Sequence, residues 1–542
     1  MGGNSYSANK KKPFCFRKFM KIKNQYMGLL VAAAFIGGVA NAEDMYLNGV
    51  WEKGKTASLA SPESWNTKQG AAGRAIGKDD ILHIVDVSGY SSVDGDIVVK
   101  QLDLGRFLAA KSSIGSIAFN MSKTKPDKTD GSFTVDVNAP KSKTPAVAVV
   151  SNFETYSNVS GRPLQRQMLV LSGGKATFMN SANPNGLIWF YLNTQKSART
   201  LPGFKGGMIF DCPVQISNPL AIKSNNIAFC EGMGFQVCSL TFLNQTLVGK
   251  KVGDKFKYNS FEVFPLPTFY FEPLMIINVG DQNHPRAQMA TGDFKLSQGS
   301  AANVFGALSI NGNLSMEMAA TLNVKKGGKV EITSAKIDKF AEIKTQKLAR
   351  INVDGELTVR NPKLNKEHTK LYDVQMHVGE TGRLNVFGTG FQGQNGLIVE
   401  RSLLSLKKGA KVYARNMVRL GEKSRLQLFG ENQITANEPS NKRCRIVIAG
   451  KYTIVELHAN QYFDSFAGAK FPAKLRLCEG ANEVRFVNID HNWNKGFVLE
   501  IEGFKNGVIK LDTDNPMIAT NVKAEGWKNF RLENGFLTAD KQ

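Results

Sequence analysis

Gly328-Lys329-Val330-Glu331-Ile332, Gly355-Glu356-Leu357-Thr358-Val359 and Gly382-Arg383-Leu384-Asn385-Val386 state one phrase three times. Each is a glycine, any residue, then apolar, polar, apolar. The glycines stand 27 residues apart, and Gly409 continues the count with Val412 and Ala414 in the apolar slots, one place late. A second apolar position recurs nine residues after each glycine: Ile337, Leu364, Phe391 and Val418. A fixed period of this length marks a repeat architecture. Alternation inside the phrase gives a short strand with one buried and one wet face. The glycine in front permits a backbone turn that other residues resist. One such strand cannot bury its apolar face alone. Stacked strands can, each hydrogen-bonding the next at about 4.8 Å. Val330, Leu357 and Leu384 are therefore expected in one buried column.

Twenty-seven residues is long for a hairpin and too poor in helical periodicity for a strand–helix repeat. It suits one coil of three short strands. Ile351 with Val353, Met376 with Val378 and Leu404 with Leu406 supply further strand pairs. Two near-copies support the reading: 379–388 with 421–430, and 325–330 with 407–412. The first pair lies 42 residues apart, which is no multiple of 27, so the coils are irregular. The predicted fold is all-β: a right-handed parallel β-helix, a β-solenoid with irregular loops and capped ends. Handedness follows from the preference of parallel crossover connections. The alternative is a β-sandwich with evenly spaced strands.

The chain has 542 residues, 42% hydrophobic, enough for a sizeable core. Residues 10–23 hold seven Lys or Arg and no acid, 28–39 are apolar or small, and Ala40-Asn41-Ala42 follows. This reads as a secretory signal peptide, 1–42, cleaved after Ala42 with Ala40 and Ala42 as the small residues. Met20 is an alternative start. Its apolar core is too short to span a bilayer, and nothing after Glu43 approaches a transmembrane stretch. The expected product is secreted, in the medium or on the cell surface.

Residues 43–110 read as a cap and first coils, 111–475 as the body, and 476–542 as last coils and cap. An aromatic- and Pro-rich insertion is expected near 254–292. There Phe256, Tyr258, Phe261, Phe264, Phe269, Tyr270 and Phe271 crowd around Pro265, Pro267 and Pro273. These rings either pack a loop onto the coil wall or form a sugar-stacking surface.

Removing the seven leader cations from the net charge of +23 leaves +16. A basic exported protein points to an anionic neighbour such as an acidic polysaccharide or cell-envelope glycan. The other reading is a solvated outer face. No nucleic-acid recognition signature occurs. Cys212, Cys230, Cys238, Cys444 and Cys478 remain after cleavage, an odd number. Cys212 and Cys238 either stack on neighbouring coils or are buried as small apolar residues. With no C-x-x-C, zinc is not expected.

Trp51 and Trp65, Asp79-Asp80 before Ile81-Leu82-His83-Ile84-Val85, then Gly95-Asp96-Ile97-Val98-Val99 and Leu102-Asp103-Leu104-Gly105 form an order. With the glycine phrases, it resembles the opening of bacterial secreted parallel β-helix proteins, pectin-lyase-like or autotransporter-passenger-like. The resemblance implies a β-helix on the cell surface or in the medium and no particular activity. Val487-Asn488-Ile489-Asp490-His491 is similar to the pectate lyase V-W-I-D-H signature, with Asn488 in place of Trp. Arg162-Pro163-Leu164-Gln165-Arg166 resembles that family's R-x-P-x-x-R but lacks one residue. Histidines 83, 284, 368, 377, 458 and 491 form no ligand-spaced cluster, and Asp79-Asp80 reads as a turn before a strand. No catalytic or metal-binding residue is assigned. The leading expectation is a surface or matrix structural or adhesive protein. The alternatives are a polysaccharide lyase or hydrolase on the same scaffold, calcium-dependent in the lyase case, and a non-catalytic binding module for anionic glycans.

Overall fold

Alternating apolar and polar residues demand a pleated surface with one dry face, and the chain supplies that surface by pairing each strand with one from the next turn. The computed structural model describes residues 44–47, 62, 65–66, 76–77, 79–83, 90–92, 96–99, 101–104, 115–120, 131–141, 146–154, 166–195, 205–224, 237–265, 275–333, 342–361, 369–388, 396–414, 417–436, 444–468, 472–489, 497–513 and 516–542. The chain divides into two units, Met1–Glu43 and Asp44–Gln542, and every described residue lies in the second. The predicted leader, with Ala40 and Ala42, lies outside the described residues.

The strands form two sheets of 34 and 13 strands, paired almost everywhere in parallel. Most fall into three columns that the chain visits in rotation as far as Ile434–Thr435, the last described strand of the second column; from Arg445–Ile448 to Val522–Lys523 the described strands alternate between the third and the first. Ser300–Val304 belongs to the first column, Ala307–Ile310 to the second and Leu314–Met316 to the third; Thr321–Val324 then returns to the first. The long strand Glu342–Val353 serves two columns. Lys344 pairs with Ser315 in the third, and Arg350 pairs with Thr321 in the first, with a register shift between Lys344 and Ala349 where the chain turns the corner.

The second column holds the glycine phrases. Val330 pairs with Leu357, Leu357 with Leu384 and Leu384 with Val412, and all four are buried. The expected column is present and extends upward through Leu308. The apolar pairs of the first column stack likewise: Ile351 on Met376, Met376 on Leu404, Val353 on Val378 and Val378 on Leu406. Of the positions nine residues after each glycine, Val418 is buried in the third column, while Ile337, Leu364 and Phe391 lie outside the described residues.

The glycines need a corrected reason. Gly328, Gly355 and Gly382 are not among the residues with positive φ. What they provide is room. A Cβ at Gly355 would stand 2.2 Å from the Gly328 carbonyl oxygen, and one at Gly382 would stand 1.9 Å from the Val353 oxygen. The backbone bonds Lys329 N to Gly306 O, Glu356 N to Gly328 O, Arg383 N to Gly355 O and Lys411 N to Gly382 O define the true series. It runs Gly306, Gly328, Gly355, Gly382 and then Ala410, not Gly409. Gly409, at φ 93°, occupies the place of Gly327, at φ 80°. The near-copies divide the same way. Segments 325–330 and 407–412 share the second column, whereas 379–388 lies in the second and 421–430 in the first, which accounts for their odd separation.

Of the segment near 254–292, where an insertion is expected, residues 266–274, with Pro267, Phe269, Tyr270, Phe271 and Pro273, lie outside the described residues. Phe261–Pro265, Met275–Val279 and Gln288–Thr291 are ordinary rungs. Phe261 lies in the core between Phe242 and Phe294, in a run of rings that continues through Phe210 to Phe178. The outlier is a hairpin, Gln245–Val252 with Lys255–Tyr258, whose second strand pairs antiparallel to the first and to no column. Antiparallel pairing otherwise occurs at the two ends: Asp44–Leu47 with Trp65–Asn66, and Ile509–Leu511 with Phe536–Lys541, which folds back on Trp527–Glu533. Among the described residues no helix is long and apolar enough to cross a membrane.

Candidate functional site

Functional groups on such a scaffold must come from outward-facing positions, because the inward ones form the core. The outward line of the first column is the longest polar array among the described residues. Its rungs read Ile277-Asn278-Val279, Ala302-Asn303-Val304, Leu322-Asn323-Val324 and Ile351-Asn352-Val353. Each asparagine amide donates to the rung before it. Asn278 donates to Thr241 Oγ1 at 3.0 Å, Asn303 to Asn278 at 3.0 Å, Asn323 to Asn303 at 2.9 Å and Asn352 to Asn323 at 2.8 Å. Amide ladders of this kind stabilise stacked parallel strands.

The line continues through His377, Ser405 and Gln427 to Glu456, Arg476 and Glu502. Glu456 is buried, and its carboxylate accepts from both sides. Arg425 donates at 2.7 and 2.8 Å, Gln427 at 2.7 Å, and Arg476 closes the third side. Burial pushes the Glu456 carboxyl up, but bonds from Gln427 and Arg425 and the charges of Arg425 and Arg476 outweigh it and hold the group below the usual glutamate range. Glu502 is held down by its bonds from Lys474 and Arg476. Beside this line, His458 stacks on Phe429 with ring centroids 4.1 Å apart, and its Nε2 lies 3.6 Å from Cys478 Sγ. Burial lowers the His458 pKa, opposed by Glu456, and raises that of Cys478. Burial, the largest cause, thus favours the protonated thiol.

An open cleft of about 670 Å³ lies at the corner between the first and second columns, lined by Asp281, Lys325, Lys326, Asp354, Glu380 and Phe305 among others. Asp281 is engaged locally: His284 Nδ1 lies 2.8 Å from its Oδ1, which also accepts from the backbone of Asn283 and His284. In the second column the outward line reads Glu331, Thr358, Asn385 and Tyr413. Glu331 pairs with Arg360 at 2.7 Å, and Asn385 donates to Thr358 and Glu356.

Of the predicted positions, Asp79-Asp80 is a turn. Gly77 N donates to Asp80 Oδ2 at 2.6 Å and the strand Ile81–His83 follows. Asp490 and His491 lie outside the described residues, as do Arg162, Pro163, Leu164 and Gln165; Arg166 opens the strand Arg166–Ser172. Cys212, Cys238 and Cys444 are buried, as small apolar residues are; Cys212 and Cys238 do not share a column position, because Cys238 pairs with Gly206 and Met275. Among the described residues no three His, Cys, Asp or Glu side chains gather as metal ligands. Sequence reasoning missed the asparagine ladder, whose signal was the fourfold recurrence of apolar-Asn-Val. Comparison with protein-family models, with curated proteins and with solved structures gives no match.

Proposed function

We propose that this chain is an exported right-handed parallel β-helix that serves as a structural or adhesive protein of the cell surface or extracellular matrix. The observation that carries the reading is the outward line of the first column, where polar side chains bond to one another from rung to rung. A β-eliminating lyase needs a base, a group to stabilise the enolate, and acids free to hold calcium. Here Glu456 is enclosed by Arg425, Gln427 and Arg476, and Glu502 by Lys474 and Arg476. Such pairs fix a surface rather than bind a metal. Rotation through three columns favours the solenoid over the sandwich, and the crossover preference favours the right hand.

The test is to incubate the purified protein with pectate, alginate and glycosaminoglycans in the presence of calcium. Retention on the polymer with no rise in unsaturated-uronate absorbance is expected. Product release that disappears in Asp490→Ala or His491→Ala would replace this reading with the lyase.

A further inference from the structure

Away from the two ends, the hairpin Gln245–Val252/Lys255–Tyr258 is the described pairing that the columns do not account for. Its first strand joins the second column through Val248, which is buried; beyond Gly249 the chain leaves the column. Eight residues, 250–257, then carry four lysines and one acid, Asp254. The register sets Lys250 directly opposite Lys257, a like-charged cross-strand pair that weakens a sheet. Lys255 is two residues from Lys257 on the same face, opposite Val252, which is 54% exposed. Lys251, Lys255 and Lys257 are exposed, and among the described residues no ion pair includes them. Lys250 is half-buried, its ammonium donating to Pro184 O at 2.9 Å and Asn185 Oδ1 at 3.1 Å, and so ties the hairpin to the loop after Gly174–Met179, two rungs back. Packing gives no reason for this concentration of cations, whereas an anion arriving from solvent does.

We propose that this hairpin is the contact site for an acidic polysaccharide, a polyuronate or sulfated glycan. The inference rests on the adhesive reading above and gives it a partner and a place. The ring arrangement selects the polymer class. Phe256 and Tyr258 lie on the face opposite Lys255 and Lys257, the face that Lys251 shares as the cross-strand partner of Phe256, and the two rings pack against each other, with centroids 4.9 Å apart and planes at 56°. Half-buried and tilted against each other, they form no open platform, and nucleic-acid binders stack bases on such platforms. One exposed valine is too little apolar surface for membrane insertion, which needs a broad apolar face. What remains is Lys255 and Lys257 at strand spacing on one face of the hairpin and Lys251 on the other, suited to a chain of repeated anions without bases or acyl tails.

The experiment compares the full chain with two triple variants of equal charge change. Lys251→Glu, Lys255→Glu and Lys257→Glu alter the hairpin. Lys329→Glu, Lys408→Glu and Lys505→Glu alter exposed lysines elsewhere. Each is titrated with alginate, heparin, single-stranded DNA and phosphatidylglycerol vesicles at about 0.1 M salt, where screening reaches about 10 Å. Circular dichroism and a melt check that both variants fold; if the hairpin triple does not, Lys255→Gln with Lys257→Gln takes its place. The expected result is a loss of about tenfold or more in alginate and heparin affinity for the hairpin variant and less than about threefold for the control. Equal losses in both variants overturn the hairpin assignment and leave the adhesive reading standing. Tighter binding to DNA or vesicles than to the polysaccharides overturns the polymer class. A wild-type chain that binds none of the four overturns the glycan-adhesive reading itself.

Discussion

Leu357→Ala tests the central column. Leu357 is fully buried, with Val330 above it, Leu384 below it and Val359 two residues along the same inward face. Truncation removes three buried carbons, and the rungs on either side are tied by backbone bonds such as Glu356 N to Gly328 O at 2.9 Å. They cannot close over the gap, so the loss belongs in the range of about 2–5 kcal/mol for such truncations, near 3 kcal/mol. Coils of a stacked repeat touch only their neighbours, so the damage should be local. Hydrogen exchange read by mass spectrometry resolves this. A loss of about 3 kcal/mol corresponds to opening about a hundredfold more often. Amides of 329–333, 356–361 and 383–388 should show it, while those of 275–296 keep the wild-type rate. Lys329→Ala, on the exposed side of the same column, should stay within about 0.5 kcal/mol of wild type. Unchanged protection in 329–333 and 383–388, or equal loss across the whole chain, would refute the stacking argument.

Gly355→Ala should destabilise more than Gly327→Ala in a melt, because a methyl at 355 meets two backbone oxygens at 2.2 and 2.4 Å while one at 327 meets nothing within 4 Å. The first costs about 1–3 kcal/mol by overpacking, and the second about 1–2 kcal/mol through its left-handed φ. Asn323→Ala should cost about 1 kcal/mol by denaturant titration, since it strips a donor from Asn303 Oδ1 and an acceptor from the Asn352 amide, both half-buried. Glu456→Gln should flatten the acid limb of the stability profile. The folded carboxyl lies below its unfolded value of about 4.3, so its contribution is complete above that pH and fades as pH falls through the lower folded pKa. A variant that loses stability on acidification between pH 5 and 3, taken as about that window, as steeply as wild type would contradict this.

The second column was legible because two consecutive coils share a length of 27 residues, which exposes Val330, Leu357 and Leu384 as a series. The next coil is one residue longer, and counting glycines then pointed to Gly409 where register points to Ala410. Identity misled because the requirement is a small residue beside a carbonyl, and Ala410 fits there fully buried. The near-copies 379–388 and 421–430 misled for a related reason: any column accepts the same alternating phrase, so similarity does not assign a face. The asparagine ladder escaped because its spacings are 25, 20 and 29 residues. The Glu456 cluster escaped because its bonds span 31, 29 and 20 residues and depend on register that only folding reveals. The lysine hairpin was hidden by its neighbours, since one more basic stretch in a basic chain carries no contrast.

The antiparallel hairpin at the C-terminal end bears on what a concentrated layer of these molecules would do. A stack of parallel rungs is a template, and a bare final rung would recruit the first rung of another copy as readily as its own chain. Here Phe536–Lys541 lies across Ile509–Leu511 in the opposite sense, and Trp527–Glu533 covers it in turn. The outermost strand shows Lys528, Arg531 and Glu533 to solvent, with Arg531 tied to Glu533 and Asp540. An incoming strand would have to desolvate those charges to dock. The hairpin thus has the form of a chain terminator in the polymer chemist's sense, and a truncation before Trp527 should increase concentration-dependent fibre growth over that of the full chain, as read by light scattering.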